Sequence, residues 1–178
     1  MVLTRPVFLV GFMGAGKTSV ARRLARTCRV ASVDMDTYIE RREGCRVKDI
    51  FAASGEEGFR AIETQVLREL GAADEPMLVS CGGGVVVTPE NHGIFADAGY
   101  VVYLQVTADE AASRISDTSS RPLFQNLDAA RARIAERLPL YEAVADVTVD
   151  TAGKSVPAIA REVQRILEKE GILCPQPK

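Results

Sequence analysis

The chain contains a single histidine, His92, and its four cysteines show neither CxxC pairing nor zinc-ligand spacing. Chemistry that needs a histidine cluster or a histidine-rich metal site is therefore excluded. The cysteines, at positions 28, 45, 81 and 174, are most simply interpreted as reduced thiols of a cytoplasmic protein.

A charge excess of either sign and a long hydrophobic run are also missing. Lys and Arg number 22 against 24 Asp and Glu, so the net charge is −2, whereas a protein that binds duplex nucleic acid normally has a basic excess. No segment reaches the ~18 uninterrupted apolar residues of a membrane span. The first residues lead into a glycine-rich loop without a signal-peptide cleavage site. We expect one cytoplasmic domain over residues 1–178 that binds neither nucleic acid nor membrane.

Short apolar strands alternate with amphipathic helices along the chain. Ser54 and Glu57 form a capping box, which predicts that a helix begins there. Pro139 should interrupt the helix that ends near Val144, and the tail from Cys174 onwards is expected to be frayed. The alternation predicts an α/β fold with a parallel sheet. The predicted strands span 7–10, 30–33, 77–80, 100–106 and 147–149.

The strongest local signal is the phosphate loop, Gly11–Thr18, which reads GFMGAGKT and matches GxxxxGK[ST] in full. It lies between an apolar strand and a helix, the context that this motif requires. Lys17 should bridge the β- and γ-phosphates, and the Thr18 hydroxyl should bind Mg²⁺. The chain is therefore predicted to bind a nucleoside triphosphate with magnesium. The candidate nucleotide-binding residues of the loop are Gly14, Ala15, Gly16, Lys17, Thr18 and Ser19.

The phosphate loop leaves the acceptor of the phosphoryl group open. Transfer to water would make the protein an NTPase or a switch, and transfer to a small hydroxyl compound would make it a kinase. A GTPase normally carries an NKxD segment that reads guanine, and this sequence has none.

Two carboxylates, Asp34 and Asp36, follow the second predicted strand. Ligands of open α/β sheets bind at the carboxyl ends of the strands. One carboxylate can hold magnesium through water, and the other can accept hydrogen bonds from a substrate hydroxyl. Alternatively, Asp36 simply caps the next helix.

Arginines and glycines supply the remaining candidates. Arg60 is within reach of Glu63 at i+3, which would orient its guanidinium, although a solvated helix arginine is the alternative. The triple-glycine segment, Gly82–Gly84, allows close approach of a ligand but could be an ordinary turn. Residues 116–127 are polar and irregular, which favours a mobile lid over a variable surface loop.

In this order and spacing, the motifs resemble those of the shikimate kinase family. The resemblance runs from about Val7 to the last helix and includes GFMGAGKT, DxD, GEEGFRxxE, GGG, RPL and RxPLYxxxADVTV. It implies a P-loop kinase fold, with a five-stranded parallel sheet of order 2-3-1-4-5 flanked by helices. A substrate-binding region at about 34–63 and a lid at about 114–127 are also implied.

The resemblance implies an activity and assigns substrate-binding residues. The γ-phosphoryl group of ATP would be transferred to the 3-hydroxyl of shikimate, giving shikimate 3-phosphate and ADP, in the pathway to chorismate and aromatic amino acids. Asp36 should bind the shikimate hydroxyls and is a candidate acceptor of the reacting proton. Arg60 and Arg137 should clamp the carboxylate, with charge-assisted forks suited to an anionic acid. The substrate-binding glycines would be Gly82, Gly83 and Gly84.

On the nucleotide side, the resemblance assigns Asp34 to magnesium together with Thr18. Arg121, in the lid, should reach the transferring phosphates, so the catalytic residues would be Lys17, Asp36 and Arg121. Arg114 and Pro157 match residues that sandwich the adenine. Ser80 stands where other P-loop proteins carry the Walker B aspartate.

Other function classes remain as alternatives. A gluconate or nucleoside-monophosphate kinase is the nearest, but Asp36 together with GEEGFR and RxPLY favours shikimate. A non-catalytic nucleotide-binding regulator is a second alternative. The residues that argue against it are Lys17, Asp36, Arg60, Arg121 and Arg137. We expect a monomer whose partners are ATP, Mg²⁺ and shikimate.

Overall fold

The computed structural model describes residues 1–114 and 127–176. Its main sheet has five parallel strands in the order β3-β4-β2-β5-β6. If the short strand β1 is left out of the numbering, this order becomes 2-3-1-4-5. The predicted strand order is therefore confirmed. A separate antiparallel pair joins β1 (Val2–Leu3) to β7 (Leu173–Cys174). The main strands are β2 (Val7–Val10), β3 (Ser32–Asp34), β4 (Leu78–Ser80), β5 (Tyr100–Gln105) and β6 (Val147–Asp150).

Seven α-helices are present in the described ranges. Most cover the two faces of the sheet, which is why the central strands are apolar on both sides. The helices are α1 (Lys17–Cys28), α2 (Met35–Glu43), α3 (Val47–Gly71), α4 (Pro89–Ala98), α5 (Ala108–Arg114), α6 (Leu127–Val144) and α7 (Val156–Lys169).

The core has two halves, one on each face of the sheet. Alternation along β2 sends Val7 and Leu9 to the half formed with α1 and α7, and Phe8 and Val10 to the half formed with α3 and α4. All four residues of β2 are fully buried. The phosphate loop therefore begins on the most enclosed strand, which fixes its position.

β4, β5 and β6 each differ from the predicted strands by one residue at one end, and larger differences occur in three places. β3 begins at Ser32 rather than Val30, because Arg29 adopts a left-handed conformation and the Val30 N–H still bonds the Ala25 carbonyl at the end of α1. α3 starts at Val47, upstream of the predicted cap, but it is broken at Gly55, where φ is 67° and ψ is −171°.

The third difference concerns α6, which continues through Pro139 to Val144. Proline removes one helical hydrogen bond, but its neighbours Leu138, Leu140 and Tyr141 pack against the core half formed with α3 and α4. Packing of this face holds the helix together beyond the proline.

The expectation of a frayed tail is wrong at Cys174. Cys174 pairs with Val2, and Leu173 pairs with Leu3, within β1 and β7. Ile172 and Leu173 are buried in the same core half as α1 and α7. A pair of two-residue strands leaves no periodic pattern in the sequence from which it could be predicted.

None of the helices in residues 1–114 and 127–176 has the length and apolar character of a membrane span.

Shortening the C-terminus tests the role of β7. A chain that ends after Gly171 loses the buried side chains of Ile172 and Leu173, and each such burial contributes roughly 1.5–3 kcal/mol. We expect its free energy of unfolding to fall by several kcal/mol. A control chain that ends after Cys174 should stay within about 0.5 kcal/mol of the full chain. Urea denaturation measures both, and equal stability of the two truncated chains would contradict the role of β7.

Candidate functional site

The candidate site lies at the carboxyl edge of the sheet, where β2, β3 and β4 end side by side. Asp34, the last residue of β3, is in register with Ser80, the last residue of β4, and Ser80 is in register with Leu9 of β2. This pairing brings the phosphate loop, the Asp34–Asp36 segment and the triple-glycine segment to one cleft.

The phosphate loop has the compact geometry that its sequence predicts. Gly14 and Gly16 have φ values of +82° and +91°, a region that disfavours side chains. A Cβ at Gly14 would also lie 2.8 Å from the Ala111 carbonyl oxygen. The buried Lys17 folds back across the loop, and its Nζ donates to the carbonyls of Gly11, at 2.7 Å, and Phe12, at 3.0 Å. Its ammonium group is thus held beside the loop.

Three side-chain oxygens meet next to the start of α1. The Thr18 hydroxyl donates to Asp34 Oδ2 at 2.8 Å and lies 3.0 Å from Ser80 Oγ. Asp34 also caps α2, since its Oδ1 accepts the Thr37 N–H at 3.1 Å. The described residues contain no group of three or more His, Cys, Asp or Glu that could hold a metal. An all-oxygen set with one carboxylate fits Mg²⁺, which keeps several of its waters in proteins.

Asp36 lies in the first turn of α2, but Asp34 and not Asp36 is the capping residue. The Asp36 carboxylate accepts no hydrogen bond from any described residue. It is open to solvent at the cleft, yet protein surrounds it on most sides. This desolvation, with the charges of Asp34 and Glu40, raises its pKa, and the charges of Lys17 and Arg60 only partly oppose the rise. Asp36 thus faces the cleft as a carboxylate without a hydrogen-bond partner in the described part of the chain.

Arg60 is held by two carboxylates of its own helix. Its Nη1 donates to Glu63 Oε2 at 2.6 Å, and its Nη2 lies 3.2 Å from Glu56 Oε1. Burial alone would lower the pKa of Arg60, but Glu63 and Glu56 outweigh this and raise it. Glu63 is 1% exposed, and burial raises its pKa more than Arg60 lowers it. The structure therefore shows an oriented guanidinium rather than a solvated arginine.

The charged side chains of the cleft surround the triple-glycine segment. A Cβ at Gly82 would lie 2.8 Å from Glu63 Oε1 and 3.1 Å from Asp36 Oδ1, and one at Gly84 would lie 2.6 Å from Arg60 Nη1. Arg137, from α6, donates to the Gly83 carbonyl at 3.1 Å. Arg60 and Arg137 are far apart in sequence, but they contact adjacent glycines of one cleft.

Arg114 and Pro157 border the loop between β6 and α7. Arg114 donates to the Thr151 carbonyl at 2.6 Å and to its hydroxyl at 3.0 Å. Glu110 accepts the Gly153 N–H at 2.7 Å. Pro157 is in the first turn of α7 and is half-buried. Arg121 and the predicted lid, apart from its first and last residues, lie outside the described residues.

Sequence reasoning missed an aromatic pair beside Arg60. The rings of Phe51 and Phe59 stack with centroids 4.5 Å apart, and the Arg60 guanidinium lies 5.4 Å from the Phe59 ring centroid. Phe51 is 37% exposed and does not continue the apolar stripe of α3 because Gly55 breaks the helix between the two rings. No periodic signal in the sequence could have indicated Phe51.

Comparison with known proteins gives consistent matches. The family model described as shikimate kinase matches residues 13–168. A shikimate kinase of Francisella tularensis subsp. novicida (strain U112) is 36% identical over 176 residues, which cover 97% of this chain and 100% of that protein.

Solved structures agree with this similarity. Shikimate kinase from Acinetobacter baumannii in complex with shikimate has a TM-score of 0.86 and 33% identity, and the match covers 93% of this chain and 94% of that chain. Shikimate kinase from Aquifex aeolicus has a TM-score of 0.81 and 28% identity, with coverage of 95% and 99%. A gluconokinase from Sinorhizobium meliloti 1021, at a TM-score of 0.54 and 19% identity over 96% and 98% of the two chains, shares the fold alone.

The environment of Asp36 generates a stability prediction. Its pKa in the folded state is above the ordinary 3.8, so folding disfavours the ionised form. The destabilising contribution appears as the pH rises through the raised pKa and is absent below the ordinary value. Asp36→Asn should therefore raise the Tm at about pH 7, and the gain should shrink towards about pH 4.

Asp34→Ala is the matched control for this measurement. Asp34 accepts hydrogen bonds from Thr18 and from the Thr37 N–H, so its loss should destabilise the protein by about 1 kcal/mol. Thermal unfolding of both variants across this pH range measures the two effects. A lower Tm for Asp36→Asn at about pH 7 would show that its charge does not oppose folding.

Proposed function

The chain belongs to the shikimate kinase family, whose members are ATP-dependent kinases of shikimate, and we propose a role for each residue of its cleft in that reaction. The γ-phosphoryl group of ATP is transferred to the 3-hydroxyl of shikimate, giving shikimate 3-phosphate and ADP. One observation carries the assignment: the phosphate loop and the Asp36 carboxylate, which no other described residue hydrogen-bonds, share a cleft with two arginines beside the triple-glycine segment.

The phosphate loop binds the triphosphate through its backbone N–H groups and the N-terminus of α1. The backbone at Gly14 and Gly16 already has the left-handed conformation that the loop requires. Lys17 exchanges its contacts with the Gly11 and Phe12 carbonyls for contacts with β- and γ-phosphate oxygens. It stabilises the charge that develops during transfer. The nucleotide-binding residues are Gly14, Ala15, Gly16, Lys17, Thr18 and Ser19.

Thr18 and Asp34 would hold Mg²⁺, with Ser80 beside them, because their oxygens already meet within 3.0 Å. The ion held there would supply positive charge that offsets the negative charge of the phosphates during transfer. Thr37 supports the arrangement, since its N–H holds Asp34 in place as the cap of α2.

The acceptor is held at both of its ends. Arg60 and Arg137 bind the carboxylate of shikimate with charge-assisted hydrogen bonds, and Glu63 keeps the Arg60 guanidinium oriented. Asp36 binds the hydroxyls. Gly82, Gly83 and Gly84 are the substrate-binding glycines, and at Gly82 and Gly84 a Cβ would take the space that the side chains of Asp36, Glu63 and Arg60 occupy.

Asp36 is also the proton acceptor in this proposal. The 3-hydroxyl oxygen attacks the γ-phosphorus, the bond from that phosphorus to the bridging oxygen breaks, and ADP leaves with the bond electrons. The hydroxyl proton passes to the Asp36 carboxylate, whose lone pairs are not used by other described residues. A raised pKa makes it a better base than an ordinary aspartate.

Three further assignments rest on the family resemblance together with position. Arg114 and Pro157 sandwich the adenine, which is supported by their position at the two ends of the β6–α7 loop. Arg121 reaches the transferring phosphates from a lid at about 114–127. The substrate-binding region spans about 34–63, within one kinase domain over residues 1–178.

We also propose that the protein works as a cytoplasmic monomer whose partners are ATP and shikimate, and not nucleic acid or a membrane. The cysteines at 28, 45, 81 and 174 are free thiols, which is usual for a reducing compartment. The net charge of −2 is not that of a nucleic-acid-binding protein.

ADP release tests the function directly. With ATP and Mg²⁺ present, shikimate should stimulate ADP release, whereas gluconate or CMP should not. Lys17→Met should lower the shikimate-dependent rate by at least ~10²-fold, because it removes a cationic contact made to the transferring group. Circular dichroism should show that this variant stays folded. Equal stimulation by gluconate, or Lys17→Met turnover within threefold of the wild type, would contradict the assignment.

Arg60→Lys tests recognition of the shikimate carboxylate. Lysine keeps the charge but loses the fork that pairs with Glu63 and with a carboxylate ligand. Loss of one charge-assisted hydrogen bond, roughly 1.5–3 kcal/mol, should weaken shikimate binding about 10- to 100-fold. ATP affinity should hardly change, and calorimetric titration measures both.

Arg131→Lys is the matched control. Arg131 also pairs with two carboxylates, Asp109 and Asp128, but it is an exposed residue at the start of α6. The Arg131→Lys substitution should leave the affinity for shikimate unchanged. Unchanged shikimate affinity in Arg60→Lys would mean that the acceptor is not held by its carboxylate at this position.

A further inference from the structure

The Gly83 carbonyl accepts hydrogen bonds from two side chains of the same helix. Arg137 Nη1 donates to it at 3.1 Å, and the Tyr141 hydroxyl donates to the same oxygen. Arg137 and Tyr141 are four residues apart in α6, so they project from one face of that helix. The proposed reaction gives Arg137 a partner in the substrate carboxylate, but it gives Tyr141 no role.

Tyr141 is rigidly placed. It is 1% exposed, and its ring stacks on that of Tyr103 with a centroid distance of 5.0 Å and an angle of 16° between the planes. Tyr103 belongs to β5, where it pairs with Val10 at the end of the strand that leads into the phosphate loop. The stack therefore ties the Tyr141 hydroxyl to the same part of the sheet that positions the nucleotide.

The hydroxyl of Tyr141 remains a donor throughout the neutral pH range. Burial raises the pKa of Tyr141 to about 12, although the Arg137 charge acts in the opposite direction. A protonated phenol has one hydrogen to donate, and the Gly83 carbonyl receives it.

A fixed Gly83 carbonyl also fixes the N–H of Gly84. The described residues include no cis peptide bond, and in a planar trans peptide the carbonyl and the following N–H point in opposite directions. With the Gly83 carbonyl turned towards α6, the Gly84 N–H points away from α6. Within the described residues this N–H donates to no protein acceptor. Glycines on both sides leave the peptide otherwise free to rotate.

We propose that Tyr141 is a positioning residue for the acceptor substrate, because it holds the Gly83–Gly84 peptide in the orientation that offers the Gly84 N–H to shikimate. This inference rests on the proposed function. Arg137 also donates to the Gly83 carbonyl, but its guanidinium has the substrate carboxylate as a second partner in the proposed reaction. Tyr141 has one hydrogen to donate, and the Gly83 carbonyl receives it.

Two tyrosine-to-phenylalanine variants form a matched test. Tyr141→Phe removes the hydroxyl that holds the Gly83 carbonyl and keeps the stacked ring. Tyr103→Phe removes a hydroxyl from the other ring of the stack, which is 2% exposed and makes no hydrogen bond with a described residue. The two variants lose the same atom from neighbouring buried rings.

Steady-state kinetics with varied shikimate and varied ATP, together with the Tm, distinguishes the two residues. For Tyr141→Phe we expect the KM for shikimate to rise about three- to tenfold, the effect of one lost neutral hydrogen bond. Its kcat and its KM for ATP should stay within twofold of the wild type. Tyr103→Phe should match the wild type in all three constants.

Three results would overturn the inference. The first is an unchanged KM for shikimate in Tyr141→Phe. The second is a rise in both KM values of Tyr141→Phe with a lower Tm, and the third is the same kinetic change in Tyr103→Phe, since either would indicate a packing role. A wild-type protein without shikimate-dependent ADP release would instead contradict the proposed function itself, so the two failures are distinguishable.

Discussion

The cleft depends on a stretch of backbone that carries no side chains. Asp36, Glu63 and Arg60 approach the triple-glycine segment so closely that a Cβ at Gly82 or Gly84 would lie within 3.1 Å of their charged atoms. Three elements of the fold, α2, α3 and α6, can therefore place charges beside this one segment. Any larger residue there would push these helices apart or turn their charged groups away from the cleft.

The same arrangement concentrates charge that opposes folding. Burial raises the pKa of both Glu63 and Asp36, so each carboxylate is less readily ionised in the folded protein than in water. Glu63 is compensated by its ion pair with Arg60, whereas Asp36 has no such hydrogen-bonded partner among the described residues. The uncompensated carboxylate is the one to which the reaction assigns a proton. The Asp36 carboxylate thus lowers the stability of the folded protein at the position where the proposed reaction needs a base.

The sequence predicted those features that follow from local rules. The strand order, the phosphate loop and the Arg60–Glu63 pair follow from apolar runs, a full motif and helical spacing. Features that depend on tertiary packing could not be predicted. One such feature is α6, which continues past Pro139 because its neighbours pack against the core. Another is the stacking of Phe51 on Phe59, which depends on the break in α3 at Gly55. The role inferred for Tyr141 depends on a carbonyl that is 58 residues away in the sequence.

The small sheet of β1 and β7 joins segments from opposite ends of the numbering, as in the bond from the Thr4 hydroxyl to the Gly171 carbonyl, 167 residues apart. Closing so long a loop costs chain entropy, and the contacts of Leu3, Ile172 and Leu173 with the core half of α1 and α7 require those helices to be in place first. We therefore expect this pairing to form late in folding, after the main sheet. Interactions that are absent from the transition state slow unfolding without speeding folding. If the β1–β7 pair forms late, it lengthens the lifetime of the folded protein more than it changes the rate at which that protein forms.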